Sequence, residues 1–293
     1  MSVSIRVLAI LPAILLLGAC DGSPGAKAPE RLWETSGFKG PESALFDSSA
    51  GVVYVSNVNG EPTGKDGNGF ISKVAPDGKI VVLEWVSGLD APKGLAQAGG
   101  KLYVSDIDQL VEIDVATGSI GNRYAAAGAK FLNDVAADAA GNIYVSDMAT
   151  DTIWRLSGGK FEVWLQDNKL QNPNGLLVEG DRLIVGAWGV MTDGFATKVP
   201  GHLLTASLAD KSIAPLGDGT PVGNLDGVEP LGAGVYLVTD WMAGKVLRID
   251  SSGKSQTLLE LEQGAADLGF DPKSRTAFIP QMMKGVLYGY RIP

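Results

Sequence analysis

Four oxygen-bearing side chains fall at one phase of a repeating pattern: Glu42, Asn133, Asn174 and Asp226. Each opens a short apolar segment, and the six equivalent openings read ESALFD, KGLAQA, NDVAAD, NGLLVE, DGVEPL and ADLGFD. Lys93 and Ala266 hold the other two opening positions. Residues at one phase of a repeat that closes on itself converge on its axis. Two carboxylates and two amides gathered there are costly without a cation between them. All-oxygen donors suit a hard cation, so Ca2+ is expected first, with Mg2+ or Mn2+ behind it. No Cys or His joins the set, which turns the reading away from Zn2+. A water-filled polar channel is the alternative, and Asn-Asp, Asn-Gly and Asp-Gly are also common turn dipeptides. The single His, His202, precedes a strand and there is no Gly-x-Ser-x-Gly elbow, so a Ser-His-Asp triad lacks support.

The elements that must position these residues are strands. After each opening segment comes a turn and a second strand: GVVYVSN, KLYVSD, NIYVSD, RLIVGA, GVYLVTD and TAFIPQ. Their alternation and their β-branched and aromatic content predict β-structure, and no amphipathic helix is evident after the first segment. Third strands follow in all six units and fourth strands in the first five. A spacing of about 40 residues with four short strands per unit is the signature of propeller blades, and per-repeat loop insertions lengthen two of the intervals. The expected fold class is all-β: a six-bladed β-propeller with four-stranded blades. The last unit lacks a fourth strand, and RLWETS, Arg31 to Ser36, is expected to supply it and close the ring, since an open edge invites aggregation.

In such a ring the first strand of each blade lines the channel, and the loops between second and third strands share the face of the opening residues. Two of these loops are long, Asn57 to Gly69 and Gly186 to Gly201, and they belong to opposite blades. They are expected to wall a pocket over the mouth. Trp188, Trp241, Met242, Met282 and Met283 lie in loops of this class. They offer either the apolar wall of a small-molecule site or packing between blades. Asn133, Lys93, Trp188 and Trp241 are the candidate substrate contacts. Lys93 either holds an anionic substrate group or pairs with Glu42. Asp106, Asp147 and Asp240 end second strands by repeat and are expected to be structural.

The chain of 293 residues is 45% hydrophobic, holds 39 Gly and carries a formal charge of −9. It is long enough for a large core, rich in turns, and without the basic stripe that a nucleic-acid partner requires. Residues 1–19 read as a secretory signal: Arg6, an apolar run from Val7 to Leu17, then Leu17-Gly18-Ala19-Cys20. That last tetrad resembles the lipobox of bacterial lipoproteins, which implies lipidation of Cys20, the only Cys of the chain. Residues 20–30 then form the lipidated Cys and a flexible Gly/Pro tether, and residues 31–293 the propeller. The expected location is the bacterial cell envelope, lipid-anchored and outside the cytoplasm.

At Pro41-Glu42, Asn133-Asp134, Asn172-Pro173-Asn174-Gly175 and Asp226-Gly227 the chain resembles the SMP-30/gluconolactonase/LRE-like family of six-bladed propellers. The resemblance implies that Glu42, Asn174 and Asp226 bind one divalent cation. It implies that Asn133 lies beside that cation and that Asp226 is also the general base. The activity it implies is that of a Ca2+-dependent lactonase or related ester hydrolase acting on a small molecule. Sugar lactonases of the family carry an Arg two positions before the Asn of the Asn-Asp pair. Phe131 stands there in this chain, and the neighbouring Lys130 does not offer the same fork of donors. An aldonolactone substrate is thereby placed in doubt. The alternative, from another class, is a non-catalytic membrane-tethered propeller that binds a ligand or protein partner, because fold does not settle function.

Overall fold

The computed structural model describes residues 27–293. The signal segment, Cys20 and most of the tether lie outside the described residues. Six four-stranded antiparallel sheets are arranged as blades, with one additional two-stranded hairpin. Two single-turn 3-10 segments, Asn168–Leu170 and Met282–Lys284, are the only helical turns among the described residues. The inner strands are Pro41–Asp47, Pro92–Ala98, Leu132–Ala137, Pro173–Glu179, Leu225–Gly232 and Gly269–Asp271. In the first five blades the strands follow in chain order from channel to rim. The second strand of the third blade, Ile143–Asp147, is buried throughout, whereas the outer strand Ile120–Ala125 is largely open to solvent. That gradient explains why second strands read as near-continuous apolar runs: both of their faces are covered by neighbouring blades.

The core is divided by blade interface. Tyr144 and Trp164 of the third blade pack with Leu176, Leu183 and Leu204 of the fourth. Leu237 and Val246 of the fifth pack with Phe270, Ile279 and Tyr288 of the sixth. Corresponding clusters fill the other four interfaces. Each blade is therefore stabilised mainly by its neighbours, as expected when one repeat cannot bury its own apolar face.

The sixth blade closes as the sequence leads one to expect. Its outer strand is the N-terminal segment Glu30–Ser36, which pairs antiparallel with Val286–Arg291 from Glu30↔Arg291 to Ser36↔Val286. Trp33 lies over Gly289, where an added Cβ would come within 2.2 Å of the indole, and against Phe278 at 6.0 Å between centroids. Its Nε1 donates to Pro76 O at 3.0 Å, so the closing strand also grips the first blade. The ring closes a second time at the channel, where Asp267 N donates to Glu42 O at 2.9 Å and Ala44 N to Asp267 O at 3.1 Å.

Candidate functional site

In five blades the ladder between inner and second strand is interrupted at the opening residues. Pairing skips from Pro41 to Ala44, Pro92 to Leu95, Leu132 to Val135, Pro173 to Leu176 and Leu225 to Val228. The skipped pairs are Glu42-Ser43, Lys93-Gly94, Asn133-Asp134, Asn174-Gly175 and Asp226-Gly227. Such irregularities re-aim side chains, and here they gather the opening residues at one mouth. The dipeptides that could have been turns thus sit inside strands.

Hydroxyls of the second strands take over the lost ladder bonds. Ser43 N donates to Ser56 Oγ at 2.9 Å, Asp134 N to Ser146 Oγ at 2.9 Å and Gly227 N to Thr239 Oγ1 at 2.8 Å. Ser146 Oγ also donates to Asn174 O at 2.7 Å, joining two neighbouring opening strands. The recurring Ser or Thr of YVSN, YVSD and LVTD carries this signal in the sequence. Gly175 is required for a related reason. A Cβ there would lie 1.8 Å from Asp226 O, so only glycine lets the fourth and fifth inner strands approach.

The second-strand aspartates are structural in the way expected. Asp147 accepts from Lys130 N and Phe131 N at 2.9 and 3.0 Å, Asp106 from Ala91 N at 2.7 Å, and Asp240 from Asn224 N at 3.3 Å. Each carboxylate holds the segment that leads into its own blade's opening residue.

One cavity of about 290 Å³ opens at this mouth. Glu42, Lys93, Asn133, Asn174 and Asp226 all line it, so the structure brings together the predicted polar residues. Trp188 and Trp241 join them, as do Met282 and Met283, while Met242 stands 38% exposed outside the lining set. Both long loops contribute: Gly60 and Pro62 from the first blade, Trp188 and Phe195 from the fourth. The second loop is not featureless. It folds back as a hairpin, Met191–Asp193 against Ala196–Thr197, and delivers Phe195, which sequence reading missed because no repeat position predicts it. Phe131 faces the pocket as well, and His202 lies outside its lining.

Lys93 corrects one expectation. It forms no ion pair with Glu42 among the described residues. Its Nζ donates instead to Pro62 O at 2.8 Å and Ala91 O at 2.9 Å, and lies 4.7 Å from the centre of the Phe131 ring. The long loop of the first blade folds inward far enough to present a carbonyl, and that carbonyl captures the ammonium. Burial pushes its pKa down to about 8, against the pull of Glu42.

The carboxylates are under the opposite stress. Burial, and then the nearby charge of Asp267, push Glu42 up to about 8. Asp226 is raised well above its ordinary value by burial and by Glu42 and Asp267. Asp134, raised by burial and by Asp267, accepts from Leu176 N at 2.5 Å and Val135 N at 2.6 Å. Asp267 itself is pushed up to about 7 by burial, partly offset by Ser43 Oγ donating to it at 2.5 Å.

Glu42 Oε2 and Asp226 Oδ1 are buried with no hydrogen-bond partner. Native interiors rarely leave such atoms unsatisfied unless a water or an ion completes them. Asn174 Nδ2 donates to Leu225 O at 3.2 Å, and its Oδ1 accepts from Asn133 Nδ2 with one lone pair to spare. No group of three or more His, Cys, Asp and Glu side chains spaced for a metal occurs among the described residues. The set here is two carboxylates completed by amide oxygens, and its orphaned oxygens fit a hard cation.

No protein-family model and no curated protein matches the sequence. Among solved structures, the chain is similar to a gluconolactonase from Xanthomonas campestris, with a TM-score of 0.67 and 17% identity over 92% of this chain and 96% of that one. It is similar to regucalcin, a calcium-binding protein from Agrobacterium tumefaciens, with a TM-score of 0.62 and 16% identity over 91% and 94% of the two chains. It is also similar to virginiamycin B lyase from Staphylococcus aureus, with a TM-score of 0.60 and 14% identity over 90% and 100%. At these identities the likeness establishes the propeller fold.

Proposed function

We propose that the protein is a divalent-metal-dependent lactonase or related ester hydrolase, with Ca2+ held by Glu42, Asn174 and Asp226. The observation that carries this reading is the pair of orphaned buried oxygens, Glu42 Oε2 and Asp226 Oδ1, at the mouth of a pocket. The gluconolactonase and calcium-binding neighbours on the same fold support it. A cation at this site supplies polarisation of a carbonyl oxygen. The protein's own groups do the rest. Asp226 lines the pocket, and its carboxylate takes the proton from an attacking water. Asn133 and Asn174 orient groups around it through their amides, and Ser146 holds their strands in register. The apolar loops limit the entry of further water. Lys93 uses two of its three donors on backbone carbonyls, leaving one for an anionic or carbonyl group of the substrate.

The test is hydrolysis of a lactone panel with and without chelator. Turnover that chelator abolishes and added Ca2+ restores is the expected result. Cation binding with no turnover of any lactone would make the chain a cation-dependent binding propeller instead.

The lipid anchor belongs to the same proposal. Ser36 pairs with Val286, next to the Met282–Lys284 turn at the mouth, so Glu30 lies at the opposite face. A tether entering there joins the domain at the face opposite the mouth. Cys20→Ser is expected to abolish lipid labelling and release the protein from membranes. Retention of that variant on membranes would refute the anchor.

A further inference from the structure

The pocket is polar only at its floor. Phe131 meets Phe195 edge-on at 5.6 Å, Phe195 meets Trp188 at 6.0 Å, and Trp188 meets Trp241 at 6.1 Å between centroids. These rings form a continuous wall running from the third blade across the hairpin to the fifth. The thioethers of Met148, Met282 and Met283 extend it. Several donors that could have served a polyhydroxylated ligand are engaged within the protein. Trp188 Nε1 donates to Phe195 O at 2.9 Å, and Asn133 Nδ2 to Asn174 Oδ1. Lys93 Nζ spends two of its three donors on carbonyls beneath the Phe131 ring. The rim continues the pattern. Eight large hydrophobic side chains stand exposed among the described residues. Five of them, Val190, Phe195, Val199, Met242 and Met283, sit on loops of this one face.

We infer that the pocket takes an apolar lactone or ester of about the size of a bicyclic aromatic lactone, and not a sugar lactone. This rests on the hydrolase reading and narrows it. A cavity of about 290 Å³ lies at the small end of ligand pockets, which start near 300 Å³. The ring hydroxyls of a sugar lactone directed at the aromatic wall would lose their hydrogen bonds to water without replacement. An aromatic or alkyl ligand gains the wall instead. The reaction is a plain hydrolysis. The water oxygen bonds to the carbonyl carbon, the ring C–O bond breaks, and the departing oxygen takes a proton to give a ring-opened hydroxy acid. No oxidant or reductant is involved.

The experiment pairs turnover with a readout that needs no catalysis. Dihydrocoumarin and glucono-1,5-lactone are compared as substrates in the presence of Ca2+. Binding of 2-tetralone, in which a methylene replaces the ring oxygen of dihydrocoumarin, is followed by quenching of intrinsic tryptophan fluorescence. Dihydrocoumarin is expected to exceed glucono-1,5-lactone in kcat/KM by about a hundredfold. Phe195→Ala is expected to weaken 2-tetralone binding by about tenfold. Phe195 is 44% exposed on the hairpin, so its truncation leaves the blade cores intact, as an unchanged melting curve will verify. If 2-tetralone binds and Phe195→Ala weakens it while no lactone is hydrolysed, the apolar pocket stands and the hydrolase reading falls. No quenching by 2-tetralone, unchanged affinity in Phe195→Ala, or equal turnover of the two lactones would overturn the inference.

Discussion

Adding Ca2+ is expected to raise the melting temperature of this protein, and to raise it more at about pH 8 than at about pH 5. The sign follows from the buried carboxyls. Glu42 moves from 4.5 in the unfolded chain to about 8 in the fold, and Asp267 from 3.8 to about 7. Between those values the unfolded chain has released its protons while the cation-free fold still holds them. The fold binds more protons, so its stability falls as pH rises through that window. A divalent cation among the oxygens takes the place of those protons, and its affinity grows over the same range with proton release on binding. At a hundredfold excess over the dissociation constant the linkage is about 2.7 kcal/mol. For a domain of about 260 residues that corresponds to roughly 5–10 °C.

Asp226→Asn sharpens the test. It keeps an oxygen and the shape of the side chain but removes the charge. In cation-free protein it should melt no lower than the wild type at about pH 8, because an amide in that buried place carries no charge at any pH. It should lose most of the Ca2+-induced shift. It should also lose turnover even at saturating Ca2+, because an amide cannot take the proton from water. Calorimetric titration and melting curves on both proteins check each point. A wild type that gives neither heat nor a melting shift with Ca2+, Mg2+ or Mn2+ would sink the metal site.

Removing the closing strand is expected to have the other large effect. Deletion through Ser36 takes away six paired residues along Val286–Arg291. It also uncovers Phe278 and Leu287, both 0% exposed in the intact ring. The bare edge of Val286–Arg291 is then a template for pairing with other chains. The deletion should give insoluble protein or a sharply lowered melting temperature. Trp33→Ala is the gentler probe. A half-buried Trp that packs on Phe278 and bonds Pro76 O should cost about 3 kcal/mol, at the low end for Trp truncation. That is roughly 6–12 °C at this size. A truncated protein that melts with the wild type would show that the ring does not depend on its N-terminal strand.

The ring was legible in the sequence because each blade repeats the same local chemistry. YVSN, YVSD and LVTD mark the buried second strands by their β-branched and aromatic residues, and the opening residues recur at one register. Their convergence then needs only ring closure, which RLWETS offers by its strand-like pattern next to a unit that lacks an outer strand. Glu42, Asn133, Asn174 and Asp226 could be placed together for that reason alone. Tertiary structure decided what each of them touches. The broken ladder at the opening residues arises because inner strands of neighbouring blades approach until Gly175 almost meets Asp226 O, a contact between segments far apart in the chain. The fate of Lys93 was equally hidden, because the carbonyl of Pro62 reaches it only after the first long loop folds inward. Phe195 arrives on a hairpin within an insertion, where no repeat constrains the residue type. Periodic burial is written residue by residue into the strands. Partners across blades and within insertions are set by the closed ring, which no local pattern encodes.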